Sequence, residues 1–189
     1  MKIGVLASGE GTNLQALIDE LHGREVTIVG VASDKPQAKA LQRAQAAQIP
    51  TAVFELADHP DRAARDAAIA AWLDERGVEL LVLAGYMALL TPPFIAHFAD
   101  RIINVHPSLL PKYPGLNAIG QAFDAGETTF GVTVHHVDDG IDSGPVIAQE
   151  SIEIEAPASP EAVHRALQPL EHRRLTAAVR DIAAARQSR

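Results

Sequence analysis

Apolar residues along the chain alternate between short unbroken runs and wider, helically spaced sets. Positions 2–7 form the first run, and the polar turn Ser8-Gly9-Glu10-Gly11-Thr12 ends it. Over 13–22 the spacing changes, with Leu14, Leu17, Ile18 and Leu21 on one face of a helix. The alternation then repeats. A strand is predicted over 26–32, an alanine-rich helix over 38–48, a shorter strand over 51–54, and a helix over 61–77 closed by Arg76-Gly77. Leu80-Leu81-Val82-Leu83-Ala84 is apolar at every position, the pattern of a strand buried on both faces of a parallel sheet.

After Arg101-Ile102-Ile103 the pattern breaks. Pro107, Pro111, Pro114 and Gly115 predict a long structured loop, followed by a short helix over 118–126. Residues 131–137 and 146–154 predict an antiparallel strand pair. A last helix over 159–185 begins at Ser159-Pro160-Glu161, and the tail Arg186-Gln187-Ser188-Arg189 reads as its frayed end. Strands alternating with helices imply an α/β fold: an open, mostly parallel twisted sheet with flanking helices, and antiparallel strands in the C-terminal part. With no repeat, low-complexity tract or linker, the expectation is a single domain over 1–189.

Composition narrows the functional classes. The 189 residues are 47% hydrophobic and 21% charged, which is ordinary for a globular protein able to bury its own core. There is no cysteine, so disulfides and thiolate metal sites are excluded. A formal net charge of -8 argues against a nucleic-acid face, and an anionic ligand needs a local pocket. Neither a signal peptide nor a membrane span is predicted, so the expected location is cytoplasmic.

Three segments carry candidate chemistry. The turn Ser8-Gly9-Glu10-Gly11-Thr12-Asn13 joins a strand to a helix, where free N–H groups and the helix dipole suit a phosphate. It lacks the third glycine of G-x-G-x-x-G and the Gly-Lys-Ser/Thr of a P-loop, which disfavours dinucleotides and nucleoside triphosphates. Read alone, it serves equally as a plain turn capped by Thr12 or Asn13. Asn104 and His106 share one face of an extended segment at the end of a strand, where open α/β sheets build their sites. An asparagine amide can donate to a developing oxyanion, and a histidine can exchange a proton near neutral pH. Between the last two strands lie Asp138, Asp139 and Asp142. The first two suit a solvated turn. Asp142, fixed between Ile141 and Gly144-Pro145, is the carboxylate placed to orient His106. No zinc or calcium spacing is present, and His135 and His136 point to opposite faces of a strand.

Taken together, these residues resemble the family of phosphoribosylglycinamide formyltransferases, folate-dependent enzymes of purine synthesis. The resemblance runs from the first strand to about Glu171. It rests on Ser8-Gly9-x-Gly11-Thr12-Asn13-Leu14, Leu83-Ala84-Gly85-Tyr86-Met87, Asn104-Val105-His106-Pro107-Ser108-Leu109-Leu110-Pro111 and Asp142-Ser143-Gly144-Pro145-Val146-Ile147, in that order. It implies a Rossmann-like formyltransferase fold and a reaction. The formyl group of 10-formyltetrahydrofolate passes to the glycyl amine of glycinamide ribonucleotide, with no metal. By resemblance, Asn104, His106 and Asp142 are catalytic, and Gly11, Thr12, Asn13 and Glu171 bind the ribonucleotide. Arg62, Met87, Leu89, Leu90 and Asn104 line the folate site with Asp138, Asp139, Gly140 and Ile141. Partners are then small molecules, for a monomer or homodimer. The chain departs from the pattern at Ala88, at Asn117 where several members carry His, and at Arg173-Arg174 where an aromatic and a proline are frequent.

Two other readings remain. A formyltetrahydrofolate deformylase would use the same trio with water as nucleophile, although that family usually bears an N-terminal regulatory domain and this sequence starts at its first strand. A non-catalytic phosphate-binding module would keep the sheet and turn and lose the chemistry.

Overall fold

A computed structural model describes residues 1–187; Ser188 and Arg189, the end of the expected frayed tail, lie outside the described residues. Seven strands form one sheet: β1 (Lys2–Leu6), β2 (Thr27–Ser33), β3 (Thr51–Val53), β4 (Leu80–Leu83), β5 (Ile102–His106), β6 (Thr129–His136) and β7 (Val146–Glu153). Their order is β3-β2-β1-β4-β5-β6-β7. The first five pair in parallel, and β6 and β7 add on antiparallel. The helices are α1 (Thr12–Leu21), α2 (Lys39–Ala46), α3 (Arg62–Asp74), α4 (Pro92–His97), α5 (Ala118–Asp124) and α6 (Pro160–Gln187). The expected fold class holds, including the antiparallel C-terminal pair.

Burial on both faces of the sheet explains the uniform run in β4. Leu80 and Val82 enter the core beneath α1 and α6, while Leu81 and Leu83 enter the core shared with Ile69 and Leu73 of α3 and Phe94 of α4. Close approaches need small residues. At Gly30 in β2, an added Cβ would lie 2.5 Å from the Trp72 ring that covers it. Gly77, at φ +66°, turns the chain out of α3, and the Val78 N–H bonds the Leu73 carbonyl behind it.

Strand order reverses between β1 and β4: the chain winds outward from β1 to β3, then crosses to the other side. Open α/β sheets leave a crevice at the carboxyl ends of the strands at such a point. Here the crevice is spanned by the Ser8 N–H, which donates to the Gly85 carbonyl at 3.0 Å. Two elements were not anticipated, α4 and a single 3-10 turn at Leu56–Asp58.

Candidate active site

The turn after β1 is built around Gly11, which takes φ +72° and sits against Ala40 of α2. Gly11 is the N-cap of α1 and has no side chain to cap the helix. The N–H groups of the first turn therefore face outward without a side-chain partner, at the positive end of the helix. Two cations offset the acidic chain locally. Arg43 donates to the Glu10 carbonyl (2.8 Å) and to Gln15 Oε1 (3.1 Å), and Lys39 pairs with Glu10. Behind the turn, buried Asn13 donates through Nδ2 to Glu171 Oε2 of α6 at 2.9 Å. Asn13 Oδ1 is buried with no partner. The structure therefore brings Gly11, Thr12, Asn13 and Glu171 into one neighbourhood.

Asn104 and His106 belong to β5 itself, which runs to His106 and does not stop at the apolar run. Antiparallel pairing sets Asn104 opposite His135 and His106 opposite Thr133. The proline-rich loop that follows folds back on Thr133, whose hydroxyl donates to the Ser108 carbonyl (2.7 Å) and accepts from the Leu110 N–H (3.1 Å). This carries the Tyr113 carbonyl to 2.8 Å from His106 Nε2. A carbonyl only accepts, so Nε2 bears a proton. On the other side of the ring, Nδ1 lies 3.3 Å from Asp142 Oδ2.

Asp142 arrives from the β6–β7 connection. Asp138 Oδ1 accepts from the Gly140 N–H (3.1 Å) and the Ser143 hydroxyl (2.8 Å), which curls the loop. Asp142 then takes φ +52° and aims inward. Its Oδ2 accepts from the Gly115 N–H at 2.7 Å, and its Oδ1 lies 3.4 Å from both Asn104 Nδ2 and His135 Nε2. Burial pushes its carboxyl up. The His135 and Gly115 hydrogen bonds and the nearby histidine charges outweigh that, and bring it from 3.8 down to about 2.

A consequence follows for acid stability. The native carboxyl binds its proton more weakly than the unfolded chain does. Its stabilisation is complete above about pH 4 and disappears as pH falls toward about 2, roughly 2 kcal/mol in all. Urea midpoints measured across that interval should fall less steeply for Asp142→Asn than for the parent. Parallel curves would show that Asp142 carries no such linkage.

His135 is the residue that sequence reasoning missed. Its Nδ1 donates to the His136 carbonyl (2.8 Å), which leaves Nε2 free to accept from Asn104 Nδ2 (3.2 Å) or, when protonated, to donate to Asp142. It is 1% exposed and holds the Asn104 amide in place. Only knowledge of the β5–β6 register could have found it.

The apolar candidates are largely exposed. Met87 and Leu89 after β4 are 53% and 63% exposed, and Ile141, next to Asp142 on the β6–β7 connection, is 64% exposed. Leu90 packs partly into the α3–α4 core. Asp139 and Gly140 are exposed at the loop tip. Arg62 stands exposed at the first position of α3 and joins none of the hydrogen bonds that tie the rest together. No group of three or more metal-ligating side chains among the described residues is disposed to hold a metal ion. Likewise, no described helix is long and apolar enough to cross a membrane.

The chain is similar to known formyltransferases in sequence and in fold. A family model described as formyl transferase matches residues 1–179. A phosphoribosylglycinamide formyltransferase of Bacillus subtilis is 42% identical over 174 residues, covering 91% of this chain and 89% of the relative. One from Escherichia coli is 40% identical over 174 residues, with 91% and 82% covered. Among solved structures, a glycinamide ribonucleotide transformylase from Symbiobacterium toebii superposes with a TM-score of 0.94 at 42% identity. It covers 98% of this chain and 89% of its own.

Proposed function

The chain belongs to the formyl transferase family, and from that membership we propose that it moves the formyl group of 10-formyltetrahydrofolate onto the glycyl amine of glycinamide ribonucleotide. The products are formylglycinamide ribonucleotide and tetrahydrofolate, a step of purine biosynthesis. One observation carries the reading. An Asn–His–Asp cluster based on β5, an uncapped helix N-terminus after β1 and an exposed apolar segment after β4 come from three neighbouring strands of the sheet. Those are the neighbours that a phosphorylated amine and a flat apolar formyl donor require.

In this reading the phosphate rests on the N–H groups of Gly11, Thr12 and Asn13, and Glu171 meets the ribose side of the ribonucleotide. The exposed faces of Met87 and Leu89 fit an apolar ring system, with Leu90 behind them and the 138–142 loop opposite. Arg62 lies toward the anionic tail of the folate. Folate supplies a formyl carbon that is already activated, so positioning and charge stabilisation suffice.

The residues' own tasks follow from the geometry. As the amine attacks, negative charge gathers on the formyl oxygen, which accepts from Asn104 Nδ2 and from the Nδ1–H that a protonated His106 shares between it and Asp142. The ring is engaged on both nitrogens beforehand, with Nε2–H on Tyr113 and Nδ1 toward Asp142. The 3.3 Å contact to Asp142 is longer than a charge-assisted hydrogen bond, which leaves room for it to tighten around substrate. Asp142 keeps the ring oriented and passes the amine's proton, through water, toward the departing folate nitrogen. The enzyme acts as a single formyltransferase domain on small molecules, with no metal, as a monomer or homodimer in the cytoplasm.

A formyl-transfer assay with 10-formyltetrahydrofolate, run with and without glycinamide ribonucleotide, tests this reading. Turnover that requires the ribonucleotide is the expected result. Folate released at the same rate without it would make the protein a deformylase, and no release in either case would leave a binding module.

A further inference from the structure

The segment 84–91, between β4 and α4, has no helix or strand of its own, yet it presents the two exposed apolar side chains of the folate wall. Its backbone is gripped at alternate residues. At one end Ser8 accepts the Met87 N–H on its hydroxyl (2.8 Å) and donates its own N–H to the Gly85 carbonyl (3.0 Å). At the other end the grip comes from a buried ion pair in α3. Arg65 Nη2 donates to the Leu89 carbonyl (3.1 Å), and Asp66 Oδ2 accepts from the Thr91 N–H (2.7 Å).

The pair is unusual in its geometry and its burial. Consecutive helix residues do not face each other, yet Arg65 reaches Asp66 Oδ1 through both Nε (3.0 Å) and Nη2 (2.7 Å). The two residues are 3% and 1% exposed. A buried ion pair is a poor source of stability compared with apolar side chains of the same size. What this one provides is a fixed fork, with a guanidinium N–H and a carboxylate oxygen left to reach outward. Both go to the backbone on either side of Leu90.

We propose that Arg65 and Asp66 are positioning residues for the folate wall: the buried pair sets the backbone that aims Met87 and Leu89 at the formyl donor. This rests on the reading of the 87–90 segment as part of the folate site. Neither residue touches the trio, so the pair governs how the donor is bound and not how the amide bond forms. Loosening the wall leaves ribonucleotide binding at the other side of the crevice untouched.

The test is the apolar replacement Arg65→Met with Asp66→Leu, which keeps the volume and removes both anchors, alongside Arg65→Lys. The expected result is a rise of about tenfold in KM for the folate, the worth of one charged hydrogen bond. The values of kcat and of KM for the ribonucleotide should stay within about twofold, as this split between separate sites implies. Arg65→Lys cannot supply the fork and should recover little. Hydrogen exchange at the Thr91 amide, measured without ligands, should rise in the double variant whatever occupies the wall. Unchanged Thr91 protection overturns the proposal outright, as does a folate KM equal to the parent's in a variant that melts like the parent. A lowered apparent kcat with both KM values at the parent's assigns the pair to general stability and overturns it too. Failure of the functional reading looks different, because the unmutated enzyme itself would then show no ribonucleotide-dependent turnover.

Discussion

His106→Ala is expected to lower kcat by about 100- to 1,000-fold, the usual cost of removing one donor that meets a developing oxyanion. The ring is held from both sides, by the Tyr113 carbonyl and by Asp142. Its removal therefore deletes a donor and leaves Asp142 facing an empty site. Steady-state kinetics with both substrates varied should place the loss in kcat, with both KM values close to the parent's. Because His106 is 4% exposed, His106→Gln serves as a second variant that keeps a polar side chain. A melting temperature within a few degrees of the parent in either variant separates chemistry from folding. The trio acts as a unit, so His106→Ala combined with Asp142→Asn should be little worse than the worse single change. Strict additivity of the two losses would refute that coupling, and near-parental turnover by His106→Ala would refute the catalytic assignment itself.

Gly11→Ala is expected to weaken both the fold and the binding of the ribonucleotide. Its φ of +72° strains any side chain, and an added Cβ would lie 2.6 Å from Ala40 Cα and 2.8 Å from Ala40 Cβ. Both neighbours are backbone or bound directly to it, so no flexible group can swing aside. Strain of this kind and overpacking each cost about 1–3 kcal/mol. The turn can relieve it only by moving, which displaces the N–H groups at the start of α1. A rise of tenfold or more in KM for the ribonucleotide should accompany a lowered melting temperature, since each 1.4 kcal/mol is about tenfold. Gly9→Ala is the control, since its Cβ would meet nothing within 4 Å and its φ lies outside the strained region. If the two alanines behave alike, the geometry of the turn does not matter to binding.

Most of the fold was legible because burial on both faces leaves a strong imprint. The β4 run, the helical spacing of Leu14, Leu17 and Leu21, and the β-branched pairs after residue 129 all report local periodicity. What escaped was either too short or too distant. Helix α4 spans six residues, the first two of them prolines at home in a first helical turn, and is too short for helical spacing to register. Asn104 and His106 were visible from their two-residue spacing. Asp142 was visible from the rigid residues around it. His135 was not, because its meaning lies in the residue paired across from it, and register between strands is not written in either strand alone. The same holds for Arg65 and Asp66. Two adjacent opposite charges on a helix read as a solvated face, and only the path of a chain 24 residues later puts them in the interior.

The hydrogen bond between Asn13 and Glu171 joins residues 158 positions apart. As the polypeptide leaves the ribosome, the glycine turn emerges well before the carboxylate that holds its asparagine. Domains take shape from the N-terminus during synthesis, so strands β1 to β5 can be in place while the ribonucleotide turn still lacks its partner. An unfinished chain would thus carry His106 on its strand while the glycine turn still lacks Glu171. The turn takes its finished form only when α6 closes over α1 and Glu171 meets Asn13.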